Sequence, residues 1–559
     1  MNRGKIQIAN IREQCGWVTK DKEAATGKAK ALIQAAIKRS VFHEILEPKQ
    51  MECNTDIVVI GGGIAGIEAA LMAAEAGRKV VIIEKDISLG GNTIKTEEVA
   101  PYMECAPCLL APRLSAVKDH ANITVVSHAE VTDLLGFFGN FTVKVHKKAR
   151  YVNDSCIGCE ACFEVCPVSV SSDFHMGMGN RKAIYTAFPG SVPAVAVIDK
   201  GHCKHFLDGS CDACVSACPF QSIQFDDVDE DLSFTSGAVI VATGYDSPNP
   251  AFLESLGYGS IDNVCTTPEF ERMASSNGPF GGTVQLKNGE VPASVAVIHC
   301  AASLREDAVP YCSGICCMTA LKVGELLRKT NPQAMVYNLH DRLVFNSPAN
   351  HAFYLKQKEK GVRFLPVHNL PSLRVLGLDG KIQVSAEGMK PILVDMLVLS
   401  TGLVPSSGTK ELAEKLHIDR DGDGFFKPGH SILQASGSTL DGIYMAGCCS
   451  SPCDTATAIT RAQSAAGTAL SKLVPGKKIE LEMMTTFIDE EICAGCKLCI
   501  AVCPYKAITF DPEKRVSVVN EAICRGCGTC AATCPGGAAT AKHFTDEQIY
   551  AELGGLLHA

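Results

Sequence analysis

The sequence predicts an α/β protein with two dinucleotide-type domains, interrupted by one cysteine-rich unit and followed by another. Three observations carry that expectation. In Asp56 to Glu84 the apolar residues Ile57 to Ile60 run into Gly61, Gly62 and Gly63. Gly66 follows on an alanine-rich stretch ending at Gly77, and a second apolar run, Val80 to Ile83, ends in Glu84. A later apolar run, Val295 to His299, opens a strand of the same kind. Most of the 28 cysteines fall in CxxC runs.

The first stretch reads as strand, phosphate turn, helix and strand, and each residue type has a reason. Gly61 makes the tight turn, Gly63 lets the backbone approach a pyrophosphate, and Gly66, next to Ala65, lets the helix pack close to the sheet. The helix N-terminus faces the phosphates with unpaired amides and the positive end of its dipole. Glu84 is placed for a ribose hydroxyl, with Lys85 beside it, and Leu89-Gly90-Gly91-Asn92 is a loop that could pass over the pyrophosphate. A lone GxGxxG would be weak; two flanking strands and an acid at the right distance weigh against a glycine-rich turn without a ligand.

At 559 residues the chain has room for several domains. Asp and Glu exceed Lys and Arg by 61 to 52, giving −9, and there is no basic block, so nucleic-acid binding is not expected. The first residues, MNRGKIQIANIREQC, hold no apolar signal core, and the cysteines suit metal or iron–sulfur ligation in a reducing cytoplasm better than a secreted disulfide scaffold. Ile57 to Ala76 is apolar, but three consecutive glycines and Glu68 fit a dinucleotide fold rather than a membrane span. Attachment to a membrane through a partner is compatible with this.

Residues 1–50 read as a truncated segment around one helix, Lys22 to Leu46, with Leu32, Ile33, Ile37, Val41 and Ile45 on its apolar side. A single amphipathic helix must bury that side, here on the dinucleotide domain or on a companion protein. Cys15 could be a cluster ligand or a buried apolar residue. Cys105 and Cys108 form a CxxC that could be a redox dithiol or half of a cluster site.

Cys156, Cys159 and Cys162, then Cys166-Pro167, are followed by Cys203, Cys211, Cys214 and Cys218-Pro219. In a two-cluster ferredoxin the fourth cysteine of each run ligates the other cluster. One 4Fe-4S centre is therefore assigned to Cys156, Cys159, Cys162 and Cys218, and a second to Cys203, Cys211, Cys214 and Cys166. The long step from Cys203 to Cys211 is read as an inserted loop, KHFLDGS. Two all-cysteine zinc sites are the alternative. Asp226 to Asp231 reads as an acidic linker, after which Gly237 to Val241 resumes strand patterning and reaches Thr243-Gly244, so this unit is inserted into the dinucleotide domain.

After Val295 to His299 the expected second glycine turn is missing. Cys300, Cys312, Cys316 and Cys317 stand there, which suggests a fifth cluster where a nicotinamide dinucleotide would otherwise bind; structural cysteines plus a redox pair are the alternative. Lys322 lies further along the same helix, where it could place a positive charge near a reduced flavin or be a surface or cap lysine. Val394 to Gly402 closes this domain, and Leu440 to Gly447 is a strand reaching a glycine, with Asp441 expected to contact a flavin ribityl or phosphate. Cys448, Cys449 and Cys453 could touch the flavin or complete a sixth cluster with Cys15, Cys105 or Cys108. Beyond Pro475-Gly476 the ferredoxin spacing recurs: Cys493, Cys496 and Cys499 pair with Cys534, and Cys524, Cys527 and Cys530 with Cys503. These two units imply at least four cubanes.

In the NIREQC segment ending at Cys15, the GGGIAGIEAA turn, the Cys105/Cys108 pair and the YCSGICCMTALK run, the sequence resembles the A subunit of heterodisulfide reductase over nearly its whole length. The resemblance implies FAD in a thioredoxin-reductase-like, two-dinucleotide-domain core with inserted and C-terminal ferredoxin domains. It divides the chain into an N-terminal segment (1–50), FAD-binding parts (51–150, 233–290 and 401–478), the inserted ferredoxin (151–232), the second dinucleotide-like domain (291–400) and the C-terminal ferredoxin (479–559). It matches Cys300, Cys312, Cys316 and Cys317 to a family cluster, Lys322 to a lysine beside the flavin in electron-bifurcating members, and Cys15, Cys105 and Cys108 to family cysteines. The chain departs from the pattern upstream of Asn10, where the N-terminal domain is shortened, and at Cys449 and Cys453.

The implied activity is that of an oxidoreductase component that splits or merges electron pairs at FAD and routes them through clusters, in some members by bifurcation. The implied partners are heterodisulfide-reductase-like B and C subunits, a small iron–sulfur adaptor linked to hydrogenase or formate dehydrogenase, ferredoxin, and a second copy within a larger complex. A non-bifurcating hub, an NAD(P)H-linked flavoprotein reductase and a structural iron–sulfur module are the rivals. The NAD(P)H-linked one requires the second glycine turn that is missing.

Overall fold

The protein, described here from a computed structural model over residues 2–47 and 49–557, divides into two compact units, Asn54–Val474 and Met1–Cys53 with Pro475–Ala559. The larger unit begins with strand β1 (Ile57–Ile60), helix α1 (Ile64–Glu75) and strand β2 (Val80–Glu84). Helix α2 (Ala106–Asp119) leads to β3 (Ile123–Ser127), and an antiparallel ribbon follows: β4 (Ala129–Phe137), β5 (Asn140–Lys147) and, after the cysteine-rich segment, β6 (Glu230–Ser236). Strand β7 (Ala238–Val241) then returns to the side of β1.

The first sheet runs β3-β2-β1-β7 in parallel and is extended by Ile443–Met445, then by the antiparallel strands Gln434–Ser438 and Pro428–His430. Every residue of β1 and β7 is buried, which is why both read as unbroken apolar runs rather than alternations.

A second parallel sheet is built from β8 (Val264–Thr266), β9 (Ser294–Ile298), β10 (Met335–His340), β11 (Arg363–Pro366) and β12 (Met396–Leu399), in the order β8-β12-β9-β10-β11. Between β8 and β9 lies helix α3 (Thr267–Ala274), held at its start by a reciprocal Thr266–Glu269 capping box. Helix α4 (Cys316–Thr330) follows β9, and in the first domain strand β13 (Ile443–Met445) leads to α5 (Thr455–Lys472), which packs on α1.

The cysteine-rich segment leaves β5 and re-enters at β6, and those two strands pair along Lys147↔Glu230 to Phe141↔Ser236. The acidic stretch expected as a linker is thus partly strand. Its carboxylates hold the entry point: Asp227 accepts from the amides of Arg150 and Tyr151 at 3.0 Å, and Asp229 from Ala149 at 2.8 Å. The expected loop KHFLDGS is a helical turn, Lys204–Asp208, stopped by Gly209 and packed through His205 on Phe225 with ring centroids 3.5 Å apart.

In the smaller unit, Thr486–Ile488 pairs with Ala539–Ala541 and Ile508–Asp511 with Val516–Val519. The long N-terminal helix spans Lys22–Ser40, capped by Asp21, six residues shorter than expected. Its buried residues are Ala35 and Ala36, whereas Ile33, Ile37, Val41 and Ile45 are exposed. It packs on the C-terminal helix Asp546–Leu557 of its own unit, Ala35 against Gly555, because small residues let two helices approach closely. Arg39 reinforces the pair through Glu552 and the carbonyl of His543. Among the described residues no helix is long and apolar enough to cross a membrane.

Candidate cofactor cavity and cysteine quartets

The phosphate turn is assembled by backbone contact. Gly61 has φ +106°, and a side chain there would strike the carbonyl of Ala242; one at Gly66 would strike the carbonyl of Gly61. Gly90 donates to the carbonyl of Gly62 at 2.8 Å, and Gly91 lies against Gly63, so the loop through Asn92 docks on the turn. Glu84 is buried and accepts from the amides of Gly62 and Asp86. Burial pushes its pKa up to about 7, Asp86 adding to the rise. A carboxylate has further lone pairs for a ribose diol. Thr243 Oγ1 is buried with no hydrogen-bond partner among the described residues, the state of a group a bound cofactor would satisfy. Lys85 reaches Ser407 Oγ at 3.4 Å.

Beside the turn lies a cavity of about 400 Å³ between the two dinucleotide-type domains. Its wall takes Ile64, Asn92, Tyr245 and Cys448 from the first domain, and Cys316 and Lys322 from the second. Gly63, Ala65, Gly91, Gly244 and Gly447 are outside its lining but stand next in the chain to Ile64, Asn92, Tyr245 and Cys448, whereas Gly61, Gly66, Glu84, Gly90 and Thr243 are outside it without such a neighbour among those four. Asp441 stands at the opposite end of β13 from Gly447, half exposed and 4.0 Å from Lys472; the expected flavin contact is therefore corrected, since ligands of parallel sheets sit at the carboxyl ends of the strands.

Lys322 is buried. Its Nζ donates to the Glu98 carbonyl at 2.6 Å and pairs with Glu271 at 2.8 Å, both side chains being under 10% exposed (6% and 7%). Burial raises the pKa of Glu271 and Lys322 opposes the rise. Glu271 had no signal in the sequence, because one acid inside a short helix reads as surface. Tyr245, directly after Thr243-Gly244, was within reach of the motif and was missed.

The ferredoxin cysteines gather as their spacing requires. Cys156, Cys159, Cys162 and Cys218 ring one cavity; Cys493, Cys496, Cys499 and Cys534 ring another; Cys503, Cys524, Cys527 and Cys530 ring a third. Cys214 lies close enough to Cys203, Cys211 and Cys166 to feel their charges, and Cys316 close enough to Cys300, Cys317 and Cys312. Burial pushes Cys162, Cys300 and Cys316 up to about 12, with neighbouring cysteines adding, a penalty on bare thiolates that a bound cationic iron core offsets. Among the described residues no three such side chains converge tightly enough for a single metal ion. Quartets spread round a cavity suit a multi-iron cluster rather than one zinc.

The remaining cysteines have different local surroundings. Cys15 is buried and donates to the Ala25 carbonyl at 2.9 Å. Cys105 and Cys108 are joined by a disulfide at the start of α2, and neither lines the cavity. Cys449 points into the core, 3.1 Å from the Val241 carbonyl and 3.2 Å from that of Ala446, which corrects the expectation that it touches the flavin or a cluster. Successive residues of the tight turn Gly447–Cys449 face different ways. Cys448 and Cys453 face the cavity with sulfurs 3.4 Å apart; their hydrogen bond holds Cys448 below the ordinary thiol range and Cys453 above it.

The profile of the pyridine nucleotide-disulphide oxidoreductase family matches residues 55–469, and that of the 4Fe-4S dicluster domain matches residues 486–540. The second of two iron-sulfur A subunits of CoB--CoM heterodisulfide reductase from Methanopyrus kandleri is 39% identical over 561 residues, covering 98% of this chain and 85% of the relative. The corresponding A subunit of Methanocaldococcus jannaschii is 38% identical, covering 99% and 85%. The A subunit of the H(2):CoB-CoM heterodisulfide,ferredoxin reductase of Methanothermobacter marburgensis is 36% identical, covering 91% and 78%. Among solved structures, T. acidophilum thioredoxin reductase is 14% identical, covering 75% of this chain and 99% of its own, with a TM-score of 0.42. A dinucleotide turn, a disulphide-oxidoreductase core and a 4Fe-4S domain in one chain, with relatives of this identity along almost all of it, establish that the chain belongs to the family of heterodisulfide reductase A subunits, as an iron–sulfur flavoprotein oxidoreductase.

Proposed function

We propose that this chain is the electron-distributing component of a heterodisulfide-reductase-like complex, with one FAD and five 4Fe-4S clusters, and that it divides electron pairs by bifurcation. The carrying observation is that one cavity is walled by Asn92 and Tyr245 of the first domain, by Lys322, and by Cys316 of the quartet Cys300, Cys312, Cys316 and Cys317. A cofactor seated there would touch a cluster ligand. FAD, when bound, supplies the exchange of paired for single electrons, and the clusters carry single electrons over a wide range of potential.

The chain's own residues do the rest. Gly63 and the start of α1 would offer amides to the pyrophosphate, while the Gly61 amide is spent on the Ile83 carbonyl at 2.8 Å and serves the turn itself; Glu84 would accept from the ribose. Lys322, held by Glu98 and Glu271, keeps a cation at the cavity wall, where it favours added negative charge. The quartets Cys156/Cys159/Cys162/Cys218, Cys203/Cys211/Cys214/Cys166, Cys493/Cys496/Cys499/Cys534 and Cys503/Cys524/Cys527/Cys530 would hold the other clusters, the first two in the inserted domain. Relatives named for H(2), formate or ferredoxin support partners of those kinds; B- and C-like subunits and a small iron–sulfur adaptor complete the proposed complex.

The test is anaerobic native purification followed by stopped-flow reduction. The expected result is about 20 irons per chain, four per cluster, one flavin, copurifying B- and C-like subunits, and reduced ferredoxin formed only while a higher-potential acceptor is also reduced. Protein without flavin overturns the reading; reduction with no low-potential product overturns bifurcation alone.

A further inference from the structure

Two of the three cysteines after Gly447 turn toward the cavity, and nothing in the electron-distribution scheme uses them. Cys448 and Cys453 are 6% and 8% exposed, and both line the wall together with Tyr245 and Leu403. Their sulfurs stand 3.4 Å apart, and the Cys448 thiol also lies 3.3 Å from the Cys453 carbonyl. A disulfide is about 2.0 Å long, so a small rotamer adjustment would join them. The loop between them is pinned: Arg461 donates to the carbonyls of Gly447 at 3.0 Å and Ser451 at 2.8 Å, while Asp454 caps α5 by accepting from Thr457 at 2.8 Å. A loop held at both ends keeps the sulfurs together in either redox state. Cys449, between them, is directed away into the core.

We propose that Cys448 and Cys453 form a two-electron thiol–disulfide couple that exchanges its electron pair with the isoalloxazine seated in the cavity. On oxidation of the couple two S–H bonds break and one S–S bond forms. The two electrons and two protons released pass to the oxidised isoalloxazine; the reverse step returns them. The couple is a store for an electron pair beside a site that otherwise passes electrons singly. It rests on the reading of the cavity as a flavin seat, and the pair itself rests only on the sulfur geometry.

The test uses the full-length protein, purified anaerobically, poised in buffers of reduced and oxidised dithiothreitol, quenched in acid, alkylated with iodoacetamide and mapped by mass spectrometry. The peptide carrying Cys448, Cys449 and Cys453 should pass from three labels to one in a single transition, tenfold in ratio per about 30 mV as a two-electron couple requires. Cys449→Ala should pass from two labels to none, and Cys453→Ser should keep both remaining labels at every poise. With flavin bound, reduced dithiothreitol should bleach its visible absorbance in the wild type and much more slowly in Cys453→Ser. Full labelling of the wild-type peptide at every poise overturns the couple, as does loss of about four irons on replacing either cysteine, the mark of a cluster ligand. A normal label transition in protein that binds no flavin instead overturns the flavin seat and leaves the couple standing.

Discussion

Replacing Lys322 by Met leaves the Glu271 carboxyl buried without its cation. At 2.8 Å and an effective dielectric of about 20 the direct attraction is about 6 kcal/mol, most of it offset by the desolvation of both charges. Removing one partner of such a pair costs about 3–5 kcal/mol, and the lost hydrogen bond to the Glu98 carbonyl lies within that range. The cost depends on pH. Glu271 already has a raised pKa from burial, and without Lys322 to oppose it the pKa rises further. An acid whose folded pKa exceeds its unfolded value imposes nothing below the unfolded pKa, and an increasing penalty as pH climbs to the folded one. Lys322→Met should therefore lose about 4 kcal/mol at pH 8 and much less at pH 5. Adding Glu271→Gln should restore at least about 2 kcal/mol at pH 8, because a neutral amide needs no ammonium. Hydrogen exchange of the α4 amides, read by mass spectrometry, reports the local opening free energy directly. Wild-type protection in Lys322→Met at pH 8, or a double variant no better than the single one, would refute the argument.

Other outcomes follow from the same contacts. Gly66→Val drives a side chain into the Gly61 carbonyl and should abolish flavin retention, measured as flavin per chain after desalting. For the crossed ligation of the inserted domain, Cys156→Ser with Cys218→Ser should lose about four irons, no more than either alone, whereas Cys156→Ser with Cys166→Ser should lose about eight; the opposite pattern would mean that each run holds its own cluster. Because a ribose diol donates to the ionised form of Glu84, whose pKa lies at about 7 in the free protein, flavin affinity should rise with pH up to about 7 and level off above it. Glu84→Gln should flatten that profile in a fluorescence titration.

Much of the site was legible in order along the chain. Ile57 to Glu84 could be read because a phosphate turn needs glycine where no side chain fits, and the cysteine runs because a cluster ligand has no common substitute. The N-terminal helix was misread because the larger aliphatic residues mark an apolar stripe in sequence, whereas Ala35 was chosen by the close approach of Gly555, over five hundred residues away. Asp441 was misread because its distance from Gly447 in sequence says nothing of which end of the strand the cofactor occupies.

By itself the sequence determined the fold class and the place of the dinucleotide turn, and its cysteine spacing is enough to propose which ferredoxin cysteines gather together, since these depend on local spacing and residue chemistry. Tertiary structure alone decided that Lys322 is paired with Glu271, that Cys449 faces the core while Cys448 and Cys453 face the cavity, and that Cys316 shares that cavity's wall. Each of those depends on where two distant elements meet and on which way a side chain turns when they do, and burial there sets charge and reactivity that no linear pattern encodes.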